Sequence, residues 1–187
     1  MININSQVPN FGGEIYQNNK IKKVELSDYK GKWVVLIFYP ANFTFVCPTE
    51  LEDAQVHYDE VKKLGGEIIS VSTDTAFAHK AWHDTSPAIG KIKYPMLSDT
   101  TGNISRMFGT YIESEGLSLR GTFIIDPNGV LKTIEIHDNN IGRSAKEMVR
   151  KLKAAKFVRE NKGKVCPASW DTGEDTLTPG IDLIGKI

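Results

Sequence analysis

Two cysteines, Cys47 and Cys166, are the residues of this chain best suited to chemistry. Cys47 follows an apolar run, Trp33 to Tyr39, then Pro40 and the segment Ala-Asn-Phe-Thr-Phe-Val. Pro48 comes directly after it and fits the first residue of a helix, where proline is tolerated. A thiol at such a junction lies at the carboxyl edge of an open α/β sheet, where ligands bind. The unpaired N–H groups of a helix start favour thiolate over thiol. An ordinary cysteine, with a pKa of about 8.5, is only a few per cent ionised at neutral pH. A helix start contributes about 0.3 to 1 kcal/mol, at most ~2 kcal/mol, which is roughly one pH unit. A fully ionised nucleophile therefore needs a nearby cation, and spacing does not locate one. The bland alternative for Cys47 is a small buried hydrophobe. Cys166, in Lys-Gly-Lys-Val-Cys-Pro-Ala-Ser-Trp, has neighbouring lysines that favour its thiolate and a loop setting that gives access.

Other constellations are weaker. His79 and His83 lie four apart and can share a helix face, but the zinc-protease pattern needs glutamate after the first histidine and Lys80 stands there. Packing or capping is the ordinary role of both rings, with Trp82 between them as core. Neither a Gly-x-Ser-x-Gly elbow nor a glycine-rich phosphate loop occurs, so serine hydrolysis and nucleotide hydrolysis lack support. Nine of the 23 basic residues fall between Arg143 and Lys164. Their spacing spreads them around a helix with little aromatic interleaving, which reads as a solvated face rather than a nucleic-acid site. Neither cysteine has a partner two residues away, against a thioredoxin-type dithiol. Two inert thiols, a metal pair or redox chemistry remain.

The elements that would position these residues are partly legible. Trp33 to Tyr39 is short, β-branched and aromatic, the pattern of a strand buried on both faces. After Pro48, Leu51, Ala54, Tyr58 and Val61 recur at helical spacing up to Gly65 and Gly66, and Glu67 to Thr73 reads as a second strand, parallel to the first. Ala-Phe-Ala-His-Lys-Ala-Trp-His reads as a helix, followed by a turn-rich stretch to Asp99. Thr122–Ile125 and Val130–Ile136 flank Asp126-Pro-Asn-Gly129 as a hairpin. In the closing helix Met148, Leu152 and Ala155 mark the inner face, and Lys146, Arg150, Lys153 and Arg159 point mostly outward. From about Asn161 the helical period is lost, yet Trp170, Ile181, Leu183, Ile184 and Ile187 keep the tail too apolar for simple disorder. Burial of Trp170 and the isoleucines on a neighbouring chain would account for this. The sum is an α/β sandwich with a mixed sheet, compatible with the thioredoxin-like class.

With 187 residues, 23 basic against 23 acidic side chains and 40% hydrophobic content, the chain fits one domain with a short appendage and a core needing no staples. The balanced charge supplies no field toward nucleic acid or an anionic membrane. The amino-terminal segment lacks a basic leader and an apolar core, and no apolar run approaches the roughly 18 residues of a membrane span, so a cytoplasmic protein is expected.

Phe-Tyr-Pro-Ala-Asn-Phe-Thr-Phe-Val-Cys-Pro-Thr-Glu-Leu closely resembles the typical two-cysteine peroxiredoxins, and the likeness extends through Ser-Thr-Asp-Thr-Ala-Phe-Ala-His-Lys-Ala-Trp-His, Arg-Gly-Thr-Phe-Ile-Ile-Asp-Pro-Asn-Gly and Lys-Val-Cys-Pro-Ala-Ser-Trp to the final Ile-Gly-Lys-Ile. The Pro-x-x-x-Thr-x-x-Cys signature falls on Pro40, Thr44 and Cys47. The resemblance implies a thioredoxin-like domain over residues 1–160 and a carboxy-terminal arm over 161–187. It implies that Cys47 attacks a peroxide oxygen, that Thr44 hydrogen-bonds the sulfur and the peroxide, that Pro40 shields the pocket, and that Arg120 stabilises the thiolate. Glu50 and Trp82 match supporting positions. Cys166 matches the resolving cysteine, which joins Cys47 of a partner subunit in a disulfide. Also implied are hydrogen peroxide and alkyl hydroperoxides as substrates, no metal or bound flavin, and a separate flavoprotein disulfide reductase, or a thioredoxin-like protein, as reductant. A homodimer assembled into a pentamer of dimers is implied as well. The Gly-Gly-Leu-Gly insert and Tyr-Phe tail of overoxidation-sensitive members are absent, with Pro87 to Lys91 reading Pro-Ala-Ile-Gly-Lys. A dithiol oxidoreductase and a ring-forming holdase are the rival functions.

Overall fold

A computed structural model describes residues 2–186. Strands β1 (Gly12–Gln17) and β2 (Lys20–Glu25) form an amino-terminal hairpin, and β3 (Trp33–Phe38) follows a 3-10 turn. Helices α1 (Cys47–Val56) and α2 (Tyr58–Lys63) lead to β4 (Gly66–Ser72), and α3 (Ala76–Thr85) leads to β5 (Met96–Ser98). Then come α4 (Asn103–Phe108), the short pair β6 (Tyr111–Ile112) and β7 (Leu117–Ser118), the strands β8 (Arg120–Ile125) and β9 (Leu131–His137), and α5 (Ala145–Glu160). Seven strands form one mixed sheet in the order β2-β1-β5-β4-β3-β8-β9. β3 and β4 pair in parallel, as the sequence predicts, and β3 pairs antiparallel with β8.

The alternation of β3 divides the core. Trp33, Val35, Ile37 and Tyr39 face the layer containing Leu51, Val61, Trp82, Met148 and Leu152, whereas Val34, Leu36 and Phe38 face Ile104, Phe108 and Phe123. On that second face Phe108 meets Phe123 at a 4.8 Å centroid distance and Phe38 at 5.3 Å, within the range of favourable ring pairs. The hairpin forms at Asp126–Gly129: Gly129 N–H donates to Asp126 O (2.8 Å), and its φ of +82° is a conformation glycine adopts without strain.

Two local expectations need correction. The single helix read from Pro48 to Gly65 is bent into two at His57 (ψ 0°), although i to i−4 bonds run through the junction from His57 to Asp53 and from Val61 to His57. The bend leaves Leu51 and Ala54 in the core with Tyr58 and Val61, so the apolar spacing does not reveal it. Trp170 does not wait for a neighbour. It is buried on its own chain against Phe157 (4.9 Å), its indole N–H donates to Glu174 O (3.1 Å), and Arg150 donates to Trp170 O (2.9 Å). Lys153 joins this latch by pairing with Asp171 (3.3 Å), so Arg150 and Lys153 face the docked arm rather than solvent. Ile181 and Ile184 are exposed, and Ile187 lies outside the described residues. Among the described residues no helix is long and apolar enough to cross a membrane.

Because Trp170 is the buried anchor of a segment otherwise held by the Val165–Leu177 bridge and the polar contacts of Arg150 and Lys153, Trp170→Ala is expected to open the arm without unfolding the domain. Hydrogen exchange over residues 165–177 should accelerate by at least about a hundredfold, consistent with losing roughly 3 kcal/mol of buried side chain. An equal acceleration in β3 and β8 would instead mean that the arm and the sheet unfold as one unit.

Candidate active site

Pro40 is buried at the end of β3, and residues 41–46 fold back before the chain enters α1 at Cys47. This return puts Phe43 at φ +57°, a region that aromatic residues rarely adopt. The turn is pinned by its neighbours. Asn42 N–H donates to Asp74 Oδ2 (2.9 Å), the Tyr39 hydroxyl donates to Asn42 Oδ1 (2.8 Å), and Asn42 Nδ2 lies 3.1 Å from His79 Nδ1. Trp82 packs beneath, its ring 6.0 Å from Tyr39 and 5.9 Å from Phe43. Thr44 Oγ1 donates to Ala41 O (3.0 Å), so its only proton is committed and its oxygen is left as an acceptor.

Cys47 is the first residue of α1 and is fully buried. Arg120, the first residue of β8, reaches it across the sheet edge, with Nη1 3.4 Å from Sγ and 2.7 Å from Glu50 Oε2. Asn139 O accepts from Arg120 Nε (2.9 Å), fixing the guanidinium plane. Arg143 closes the cluster from the other side. Its backbone N–H (2.7 Å) and Nε (2.9 Å) donate to Glu50 Oε1, its Nη2 donates to Glu50 Oε2 (3.0 Å), and its Nη1 donates to Gly121 O (2.6 Å). Burial works to raise the Glu50 carboxyl, but the Arg143 hydrogen bonds and the charges of Arg143 and Arg120 outweigh it and hold it below the usual carboxylate range. Burial also opposes the Arg120 charge, and contacts with Cys47 and Glu50 more than reverse that.

Side-chain exposures of only 4% for Glu50, 4% for Arg120 and 6% for Arg143 make the charge balance decisive. Two guanidiniums against one carboxylate leave one positive charge in excess. Burying an unmatched charge is costly, and an anion at Cys47 Sγ is the group placed to balance it. Resemblance supplied both Glu50 and Arg120. The sequence missed Arg143, which its reading assigned to a solvated basic face. The rest of that run is largely ion-paired on the surface: Arg150 with Glu147, Lys151 with Glu135, Lys156 with Glu160 and Arg159 with Asp126.

His79 and His83 do not converge. His79 Nε2 lies 3.3 Å from Leu97 O and its Nδ1 faces Asn42, whereas His83 contacts the Tyr16 hydroxyl (3.2 Å) and Ile92 O (3.2 Å). Among the described residues no group of three or more His, Cys, Asp or Glu side chains is placed to hold a metal ion. Burial pushes His79 down to about 4, with Asp74 and Leu97 opposing. The folded chain thus refuses a proton that the unfolded chain accepts below pH 6.5. Stability is expected to fall by about 3 kcal/mol as pH drops from 6.5 to 4, at 1.36 kcal/mol per unit. In His79→Gln the part of that slope between pH 6.5 and about 5, above the carboxylate range, should vanish, as read by urea denaturation across pH. A flat wild-type profile over this window would show that His79 titrates normally.

Cys166 departs from expectation in its surroundings. It is half-buried, with Sγ 3.9 Å from Ala154 O, and burial pushes its thiol up against the opposing charge of Arg150. The Lys164 ammonium donates to Thr178 Oγ1 (2.7 Å), and the charge that acts on Cys166 is that of Arg150.

A thiol at the first turn of the helix that follows β3, an interior strand of this mixed sheet, under an anchored guanidinium, is the arrangement of a thioredoxin-like peroxiredoxin. Over residues 4–134 the chain matches the AhpC/TSA family. Alkyl hydroperoxide reductase C of Pseudomonas aeruginosa is 53% identical over 184 residues, covering 98% of each chain, and the protein of that name from Bacillus subtilis gives the same values. Among solved structures, Enterococcus faecalis AhpC superposes with a TM-score of 0.85 at 48% identity, covering 88% of this chain and 98% of that one. The reduced 2-Cys peroxiredoxin of Plasmodium vivax gives 0.88 at 34% identity, covering 92% and 91%. The chain belongs to the AhpC/TSA family.

Proposed function

We propose that the chain is a thiol peroxidase that reduces hydrogen peroxide and organic hydroperoxides to water and alcohols, with Cys47 as the nucleophile. The observation that carries this reading is the buried Cys47 sulfur 3.4 Å from an Arg120 guanidinium that Glu50 and Asn139 hold in place. The Cys47 thiolate attacks the terminal peroxide oxygen, and the O–O bond breaks. The electron pair leaves on the second oxygen, which takes up a proton as alcohol or water. Arg120 donates to that developing charge, the effect expected of fixed donors in a dry site. Thr44 Oγ1 accepts the peroxide hydrogen, and Pro40 keeps water from the sulfur.

The sulfenic acid on Cys47 condenses with the Cys166 thiol of a second copy, forming a disulfide and releasing water. Two electrons from a flavoprotein disulfide reductase, or from a thioredoxin-like protein, then restore both thiols. Residues 1–160 act as the peroxidase domain and 161–187 as the arm that carries Cys166. The raised Cys166 thiol suits a resolving role, since it attacks an activated sulfur rather than free peroxide.

Two surfaces support assembly into dimers and then a pentamer of dimers. β9 is an edge strand of the sheet with Ile134 and Ile136 half-buried, open to antiparallel pairing with its own copy. Phe43, Phe45 and Phe77 are exposed, Phe45 at 92%. We place the protein in the cytoplasm, the reducing compartment suited to two unbridged thiols.

Cys166→Ser tests the cycle. One fast oxidation of Cys47 should survive, steady-state turnover should fall by at least about a hundredfold, and the disulfide-linked dimer band should vanish from non-reducing gels. A monomeric oxidised wild-type band carrying a Cys47–Cys166 peptide would overturn the intersubunit step.

A further inference from the structure

At the end of the sheet remote from Cys47 lies a cavity of about 340 Å³. β3 separates the two sites: its last residue pairs with Gly121, next to Arg120, and Val34 near its start pairs with Ile125. A strand of six residues spans roughly 20 Å. The cavity floor is apolar, formed by the buried Val8, Val34 and Ile125. Over its mouth runs Tyr29-Lys30-Gly31-Lys32, held by Gly31 N–H donating to Pro127 O (3.0 Å) and Lys32 N–H donating to Tyr29 O (3.0 Å).

The charge on this wall is one-sided. Asp126, its acidic member, is engaged by Arg159 (3.1 Å) and Lys132 (3.9 Å) and accepts the backbone N–H groups of Asn128 and Val130, which leaves Lys30 and Lys32 without a carboxylate partner among the described residues. The neighbouring acids are hydrogen-bonded: Asp28 accepts from Glu25 N–H (2.8 Å), and Glu25 accepts from Asn10 (2.8 Å) and Ser27 (3.3 Å). Tyr29 adds a half-buried phenol, kept protonated by burial and by the charges of Glu67 and Asp28, and thus a hydrogen-bond donor at neutral pH.

An apolar floor of this volume, lined as well by two exposed lysines and a phenol, has the form of a small-molecule site. We propose that the cavity is a second ligand site, separate from the peroxidase centre, for a small amphiphilic carboxylate. Its apolar body rests on Val8, Val34 and Ile125, and its head group is taken by Lys30, Lys32 and the Tyr29 hydroxyl. This inference does not rest on the chemistry assigned to Cys47.

The test is titration of the reduced full-length protein with decanoate, read by amide chemical shifts, with decylamine and acetate as charge-reversed and headgroup-only controls. Decanoate should give saturable shifts at Gly31, Val34, Ile125 and Gly129, whereas decylamine and acetate should not. Replacing both lysines, as Lys30→Gln with Lys32→Gln, should weaken decanoate at least tenfold, and Tyr29→Phe should weaken it several-fold. Neither change should alter peroxide consumption. Absence of saturable shifts, equal binding of decylamine, or shifts centred on Phe43, Phe45 and Phe77 would each overturn the proposal.

Discussion

Cys47→Ser is expected to abolish peroxide consumption, lowering the second-order rate by at least about a thousandfold, with the fold retained. Serine occupies the same buried position at the start of α1 but offers no comparably acidic or polarisable nucleophile. Rates come from stopped-flow mixing with peroxide, and retention of the fold from circular dichroism in the far and near ultraviolet. A variant that still turns over at near wild-type rates would remove Cys47 from the mechanism.

Arg120→Met should lower the second-order rate by about a hundredfold to a thousandfold, the range seen when a fixed donor to a developing charge is deleted. Methionine fills much of the space without charge or N–H groups, and Glu50 keeps the hydrogen bonds from the Arg143 backbone and guanidinium that hold the carboxylate. The pH profile separates the two tasks of the arginine. If it holds the sulfur as thiolate, the variant rate climbs steadily with pH where the wild type is level. If it only orients the peroxide, the variant is slower by a constant factor at every pH. The milder change Arg120→Lys should recover part of the charge effect but not the fork that reaches sulfur and carboxylate together.

What the sequence disclosed follows from how much of each element is buried. β3 was legible because all six of its residues are buried on a sheet covered on both faces. The β8–β9 hairpin was legible because Asp126-Pro-Asn-Gly129 has turn chemistry with a physical cause. The β1–β2 hairpin was overlooked. Its strands lie at the sheet edge, β2 is lysine-rich and mostly exposed, and its turn depends on Asn18 and Asn19 at positive φ (50° and 59°), a two-residue signal easily lost among polar neighbours. β5 spans three residues and β6 and β7 two each, too short for a period of two to register.

The site divides in the same way. Cys47 announces itself through the local grammar of strand, loop and proline-started helix. Arg120 stands 73 residues away and is brought to Cys47 only by antiparallel pairing of β8 with β3, so resemblance located it and spacing could not. Arg143 precedes a helix whose exposed face is basic, and its burial depends on Glu50, 93 residues distant. The same blindness applied to Trp170, whose apolar character was clear and whose docking partner was not.

The mechanism turns on which atom is oxidised first and where that oxidation goes next. Reduced protein mixed with one equivalent of peroxide, quenched at successive times and mapped by peptide mass spectrometry, answers both questions. The prediction is an early oxygen on Cys47 alone, followed by a Cys47–Cys166 disulfide peptide that co-migrates with a dimer. First oxidation at Cys166 or at methionine, with Cys47 still a free thiol, would contradict it.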